Sequence, residues 1–345
     1  MRPSTLVPQR PGPSLRRGAP CLLAFLLAST GCTAIRVWTG ARVRLEKTPI
    51  TSLELSLPRG PGLAPGDRSP LVVSCLQPDG TILRTEGEGR GKVLWEDLHI
   101  TASVAQVDAK GIVSLPADPR LSDGRLPHLV VTVPSHPDLR AELDIPLSYD
   151  RAYEADFSGR PGRSGMDGSN GLDGHSGSTG SIDPANPSPG GNGSDGDDGA
   201  SGEDGGPGED APPLHVQVAL RVEPRPLLQI SVSSPSRIER FLLDPRGGSL
   251  TLRAEGGRGG SGGRGGRGGS GGFGGTGTPS GSSGRSGMNG RDGFDGPSGR
   301  AGIITVTYDP AAKPYLGALR FFTWNGDRSS GPLPVFREEP TPRLW

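Results

Sequence analysis

The sequence has little of what most folded enzymes rely on. There are three cysteines in 345 residues, Cys21, Cys32 and Cys75, too few and too unevenly placed for a disulfide framework. Aromatic residues make up 5%, so any core has to be modest and built from Val, Leu and Ile. Formal charge is zero overall, which removes any global pull toward nucleic acid or an anionic membrane. No apolar run reaches the roughly 20 residues that cross a bilayer as a helix. Convincing helical periodicity is missing as well. The five histidines, His99, His128, His136, His175 and His215, show no HExxH or paired metal spacing. There is no phosphate-binding Walker loop and no dinucleotide fingerprint. What the chain has in excess is glycine, 58 residues, and proline, 36, together more than a quarter of its length. That level signals disorder or a three-residue repeat.

The first 31 residues carry Arg2, Arg10, Arg16 and Arg17, no acidic residue, and the apolar run 21–28. This is the plan of a signal peptide: a basic start, then an apolar segment too short to span. It ends in Ser29-Thr-Gly-Cys32. Small residues before a cysteine resemble the lipobox of bacterial lipoproteins, although Ser29 stands where that motif prefers leucine. The resemblance implies that residues 1–31 are removed and that Cys32 is acylated as the first mature residue; ordinary secretory cleavage is the alternative. Loss of four arginines from a chain of net charge zero leaves a mature chain near −4. Cys21 leaves with the signal and Cys32 takes the lipid, so Cys75 stands alone, in an apolar run that reads as a buried strand. A lipid anchor implies a membrane as partner, and Thr33 stands where an aspartate would retain a lipoprotein in the inner membrane, which favours the outer one. Residues 32–50 read as a tether.

From 51 to 150 the signals are strand and turn. Ser52–Leu57 alternates; 71–76, 93–95, 103–107, 112–115, 129–133 and 141–147 read as further strands between turns such as Pro78-Asp-Gly80 and Asp108-Ala-Lys-Gly111. Short strands with frequent turns argue for a β-sandwich. The succession Leu71-Val-Val, Pro78-Asp-Gly80, Val93-Leu-Trp95, Val104–Asp108 and Gly111-Ile-Val113 resembles bacterial Ig-like group 2 domains. Such domains serve as spacers or adhesive modules, and the resemblance implies Trp95 as the core tryptophan.

Glycine then falls at every third position from Gly159 through Gly180, and again, one residue out of phase, from Gly190 through Gly208. A second excursion opens with doubled glycines at 256–277 and continues in single-glycine triplets from 281 to 302. Three residues per turn is the period of polyproline II. The segments resemble bacterial collagen-like Gly-X-Y proteins. Collagen chains run parallel, however, and each excursion is split near its middle by a proline-bearing turn, at 181–189 and at Thr278-Pro-Ser280. Proline inside the triplets is confined to Pro161, Pro207 and Pro297. These features favour four arms folding back on themselves as two polyproline II hairpins, each arm reaching roughly 60–70 Å at about 3.1 Å per residue. Solvated linkers and an intermolecular trimer are the other arrangements the repeat allows. Asp195, Asp197, Asp198, Glu203 and Asp204 on one arm face the prospect of pairing with Arg258, Arg264 and Arg267 on another. The strands flanking the arms, at 214–222, 227–232, 238–243, 249–253, 303–308 and 315–323, are expected to form an antiparallel β-domain, with 249–253 and 303–308 paired to each other.

Motif matches inside the repeats have simple readings. Gly259-Gly-Ser261-Gly-Gly263 matches GxSxG but sits in a repeat, away from any strand-to-helix elbow. Residues 195–210 are acidic yet lack the glutamate that closes an EF-hand loop. The Arg-Gly stretch 258–267 resembles RNA-binding segments, which export removes from cytoplasmic RNA. The expectation is an all-β, non-enzymatic lipoprotein of the cell envelope, with no cofactor, no metal and no nucleic acid, monomeric in preference to trimeric. Its divisions are signal 1–31, tether 32–50, Ig-like domain 51–150, first excursion 151–213, and a β-domain 214–345 containing the second excursion 256–302. An envelope or extracellular protein or polysaccharide is the expected partner class. A carbohydrate- or partner-binding adhesin and a secreted hydrolase are the alternatives.

Overall fold

The computed structural model describes residues 42–345. The signal segment, Cys32 and residues 33–41 of the expected tether lie outside the described residues, while 42–50 pack onto the first unit through the fully buried Leu45. Among the described residues the elements are strands and 3-10 helices, so their fold is all-β. It divides into two compact units, one of residues up to 116 together with 124–147, the other of 117–123 and 148–345.

In the first unit, β1 (Ser52–Ser56), β3 (Val72–Leu76) and β4 (Ile82–Arg84) form one antiparallel sheet. A second contains β2 (Arg68–Pro70), β6 (Gln106–Val107) and β7 (Ile112–Ser114); a third contains β5 (His99–Ser103), β8 (His128–Val133) and β9 (His136–Asp144). Period-two patterning decides which side faces in: Leu129, Val131 and Val133 of β8 are buried while their neighbours are half-exposed. With Leu45, Leu71, Val73, Val113 and Ile145 they make the core. Cys75 is fully buried among them, and burial pushes its thiol up to about 11.

Two expectations fail here. Residues 93–95 do not form a strand: Val93 makes isolated bridges to Val43 and Thr85, and the chain turns into a 3-10 helix at Trp95–Asp97. The turn is held by Asp97, whose carboxylate accepts from the Leu45 amide and the Arg44 guanidinium, both at 2.9 Å. Trp95 is therefore half-buried at the margin of an aliphatic core, its ring lying against Gly111, where a Cβ would come within 2.1 Å of it.

The second unit holds two sheets around one core. The first is wholly parallel: β10 (Ala152–Asp156), β14 (Ser249–Arg253) and β16 (Leu319–Phe322). The other runs β13 (Ile238–Leu243), β12 (Leu227–Ser233), β11 (Leu214–Arg221), β15 (Ile304–Tyr308), β17 (Val335–Glu338), antiparallel over its first three strands and parallel over its last three. The expected all-antiparallel pairing is therefore wrong, and 249–253 does not pair with 303–308. Expected strand 315–323 shortens to β16, because a 3-10 helix over Pro310–Ala318 precedes it, with Asp309 capping its start and Pro314 within it.

The reason lies in the arms. Arm 1 (159–180) continues from β10, and arm 3 (256–277) continues from β14. The parallel ladder of these strands runs on without a break: the Phe157 amide donates to the Arg253 carbonyl, Gly159 to Glu255, Gly162 to Arg258, and so on every third residue to Gly180 and Thr276. Arm 2 (190–208) and arm 4 (281–302) lead in the same way into β11 and β15, with Gly193 donating to Ser282, Gly208 to Pro297, Ala211 to Arg300 and Leu214 to Ile303. Pairing each strand with the next excursion's strand keeps both ladders in register from sheet to arm.

Further ladders tie the two pairs together. Arm 2 donates to arm 1 (Asp197 to Leu172, Glu203 to Met166), arm 3 to arm 2 (Gly266 to Ala200) and arm 4 to arm 3 (Gly290 to Gly266), all antiparallel. Arms 2 and 3 thus bond to all three others, whereas arms 1 and 4 do not bond to each other. The doubled glycines of arm 3 follow from its central place. A Cβ on Gly265 would lie 2.1 Å from the Gly290 carbonyl oxygen of arm 4, and one on Gly266 would lie 1.9 Å from the Ser169 oxygen of arm 1. Only the third residue of each triplet, such as Arg264 or Arg267, has room, and it is exposed.

Gly266→Ala should overpack this axis and destabilise the second unit by about 1–3 kcal/mol, read by chemical denaturation. Ser270→Ala, at an exposed position of the same arm, should stay within about 0.5 kcal/mol. Cys75 should resist thiol reagents at pH 8 in the folded chain and react once it is unfolded, as measured by labelling with and without denaturant.

Candidate functional site

Two features of the second unit could carry function: the side-chain surface of the four arms and a cavity at their foot. The surface is organised by short polar side chains. Asp167, Asn170 and Asp173 of arm 1 accept from the backbone amides of Arg264, Arg267 and Ser270. Asn192, Asp195, Asp198 and Asp204 of arm 2, and Asp210 after it, accept from the amides of Ser282, Arg285, Met288, Phe294 and Arg300. Asn289, Asp292 and Asp295 of arm 4 accept from Gly268, Gly265 and Gly262. These bonds measure 2.6–3.0 Å.

The amides served in this way are those that the backbone ladders leave over. Ser201, Ser283, Ser286 and Ser298 fill the same place with longer bonds of 3.2–3.5 Å, so Asp and Asn are the side chains that reach the amide best. The signal is legible in retrospect: nearly every one of the Asp and Asn residues occupies the third place of a Gly-X-Asx triplet and is followed by glycine.

The expected charge pairing takes another form. Arms 2 and 3 are neighbours, as their opposite charges suggested, but among the described residues no ion pair joins the acids of 190–208 to Arg258, Arg264 or Arg267. Asp195, Asp198 and Asp204 are directed at backbone amides of arm 4, and the three arginines point outward. Amide hydrogen bonds fix the carboxylates more tightly than exposed ion pairs would.

The middle place of the triplets faces solvent. It carries several large apolar side chains, among them Met166, Leu172, Met288 and Phe294, and Phe273 is likewise exposed on arm 3. The GxSxG match is placed inside arm 3, where the Ser261 hydroxyl donates to Ser164 Oγ at 3.2 Å. Among the described residues no group of three or more His, Cys, Asp or Glu side chains is placed to hold a metal. Cys32 lies outside the described residues.

The cavity at the foot of the arms is an open cleft of about 450 Å3. It is lined by Glu255, Gly256 and Arg258 at the start of arm 3 and by Trp324, Asn325, Gly326 and Arg328 in the loop that follows β16. The loop is fastened to the bundle. Trp324 accepts from the Gly256 amide at 2.8 Å, and Gly326 donates to the Gly299 carbonyl at 2.9 Å. The Asn325 side chain takes the Ala301 amide at 2.8 Å and donates to Ser329 Oγ at 3.0 Å. Gly326 has no room for a side chain, because a Cβ would meet the Gly257 carbonyl oxygen at 2.0 Å. Asp327 accepts from the amide and hydroxyl of Ser329, and these bonds hold its carboxyl below the usual carboxylate range. Sequence reasoning missed this site, since its two halves lie some seventy residues apart and neither carries a motif.

Compared with known proteins, the sequence matches no family model and no curated protein.

Asp197 and Asp198 provide a direct measure of the stapling. They are adjacent and equally charged, yet only Asp198 takes an amide of arm 4. Asp198→Ala should lower the melting temperature of the second unit by about 2–4 °C. Asp197→Ala should leave it within about 1 °C in the same calorimetric scan.

Proposed function

We propose that this chain is a non-enzymatic lipoprotein of the bacterial cell envelope, acylated at Cys32, that presents its glycine-repeat arms as a bundle of polyproline II helices. Residues 51–150 serve as a spacer of the Ig-like group 2 class. The observation that carries this reading is the closure of the arms within one chain: glycine amides along all four arms donate to carbonyls of a neighbouring arm of the same molecule. A collagen-like trimer would draw on those same donors, so intrachain closure supports a monomer.

The polyproline II assignment is supported by the ladders themselves, which repeat every three residues along each arm. The spacer assignment is supported by short antiparallel sheets around an aliphatic core. Export and anchoring are supported by the basic start, the short apolar segment and the small residues before Cys32. Several acyl chains hold a protein on a membrane where one alone is marginal. Thr33 in place of aspartate supports the outer membrane. The working part of such a protein is its outward side chains, held at fixed intervals by a rigid backbone, and its task is structural or a surface interaction with envelope or extracellular material.

Expressed in a bacterium fed labelled palmitate, the full chain should take up label, and Cys32→Ala should lose it; label retained by that variant would overturn the anchor. Sedimentation of the soluble chain beginning at Thr33 should give the mass of one chain. A threefold mass would overturn the monomeric bundle.

A further inference from the structure

We infer that the cavity between the start of arm 3 and the loop after β16 binds an acidic sugar, a saccharide ring carrying a carboxylate. The first ground is chemical. Trp324 leaves 46% of its surface exposed beside the cavity. A flat, uncovered indole is a platform for the apolar face of a sugar ring.

Two guanidiniums share the cavity with it. Arg258 and Arg328 both line it, both are exposed, and neither forms an ion pair among the described residues. The carboxylate that also lines it, Glu255, is engaged by Arg253 at 3.3 Å, and Arg253 in turn is held by Glu154 at 2.6 Å. The cavity therefore presents two guanidiniums that form no ion pair among the described residues. A guanidinium fork matches a carboxylate in two parallel hydrogen bonds.

The second ground is conformational. Arg328 has a φ of 67°, in the left-handed region that favours glycine. Arg328 thus holds a guanidinium at a place where glycine would bear less backbone strain. The loop is also pre-formed. Asn325, Gly326 and Asp327 are each fixed by the hydrogen bonds described above, so binding has little disorder to overcome. A volume of about 450 Å3 suits one or two sugar rings.

The choice of a sugar over a nucleotide rests on the export reading, which places the protein among envelope polysaccharides; the charge, the indole and the loop do not depend on it. Failure of export would appear in palmitate labelling and leave the binding measurements untouched.

The full chain, purified in detergent, would be titrated with a trimer of galacturonic acid, following tryptophan emission and heat. Saturable binding with a change in emission is expected. The neutral galactose trimer should bind at least about tenfold more weakly. Arg328→Gly removes the guanidinium while easing the backbone, so the fold is kept, and it should weaken binding about tenfold; Arg258→Ala, at an exposed triplet position, should do the same. In Trp324→Phe the emission change should vanish while heat is still released. Unchanged affinity in both arginine variants, no heat with the galacturonate trimer at 10 mM (about the limit of a useful site), or tighter binding of adenosine monophosphate than of the uronate would each overturn the proposal.

Discussion

Backbone meeting backbone without a side chain between is the contact from which the second unit is built. Two packed sheets ordinarily stand about 10 Å apart because side chains fill the space between them. Along β14 the inward residues are Leu250 and Leu252, then comes Ala254, then glycine. β11 and β15 narrow in the same order, Leu214 being preceded by Ala211 and Gly208 and Ile304 by Ala301 and Gly299, whereas on β10 the buried Phe157 stands between Ala155 and Gly159. The core tapers from branched side chains to methyl groups to nothing, and the two sheets converge until their own amides and carbonyls bond. The glycine repeats are thus the continuation of a β-core by other means. They replace burial of apolar area, which the sparse aromatic content limits, with hydrogen bonds whose donors and acceptors would otherwise be left unpaired.

That design explains the roles of the remaining residues. A ladder between two extended chains uses only part of the backbone's donors, and the rest lie within reach of a short acceptor on the next arm. Aspartate and asparagine, and in a few triplets serine, supply it from the third place. The middle place is left free, so its side chains, arginine, methionine, leucine, histidine or phenylalanine, answer to function and solubility alone. The foot of the bundle is the one place where a loop of different character, 324–330, is pressed against the arms, and there the exposed indole and two guanidiniums collect.

Much of this is legible in the residue order. A local period of three, broken at 181–189 and near Thr278-Pro-Ser280, is enough to mark four arms and the doubling back of each excursion. The alternation in 52–56, 129–133 and 249–253 is enough to mark strands. What escapes is everything decided by distant partners. That β14 joins β10, and β15 joins β11, follows from which arms are neighbours, and no feature near residue 250 or 305 records it. The opposite charges of arms 2 and 3 point to adjacency for a reason the structure does not use, since Asp195, Asp198 and Asp204 bind amides of arm 4. Trp95 misleads because a tryptophan is expected to be a core residue, whereas the carboxylate of Asp97 bends the chain there into a turn.

The unbroken ladders from sheet to arm carry a consequence for how such a protein could change its length. Residue offsets of 96 between arms 1 and 3 and of 89 between arms 2 and 4 hold along the whole bundle. A single residue inserted in one arm would rotate every later glycine off its neighbour and put a side chain where a carbonyl stands. Lengthening therefore demands whole triplets, added at the same height in all four arms at once, or trimming confined to the tips. The bundle behaves as a ruler graduated in threes, and its reach is a quantised property of the sequence.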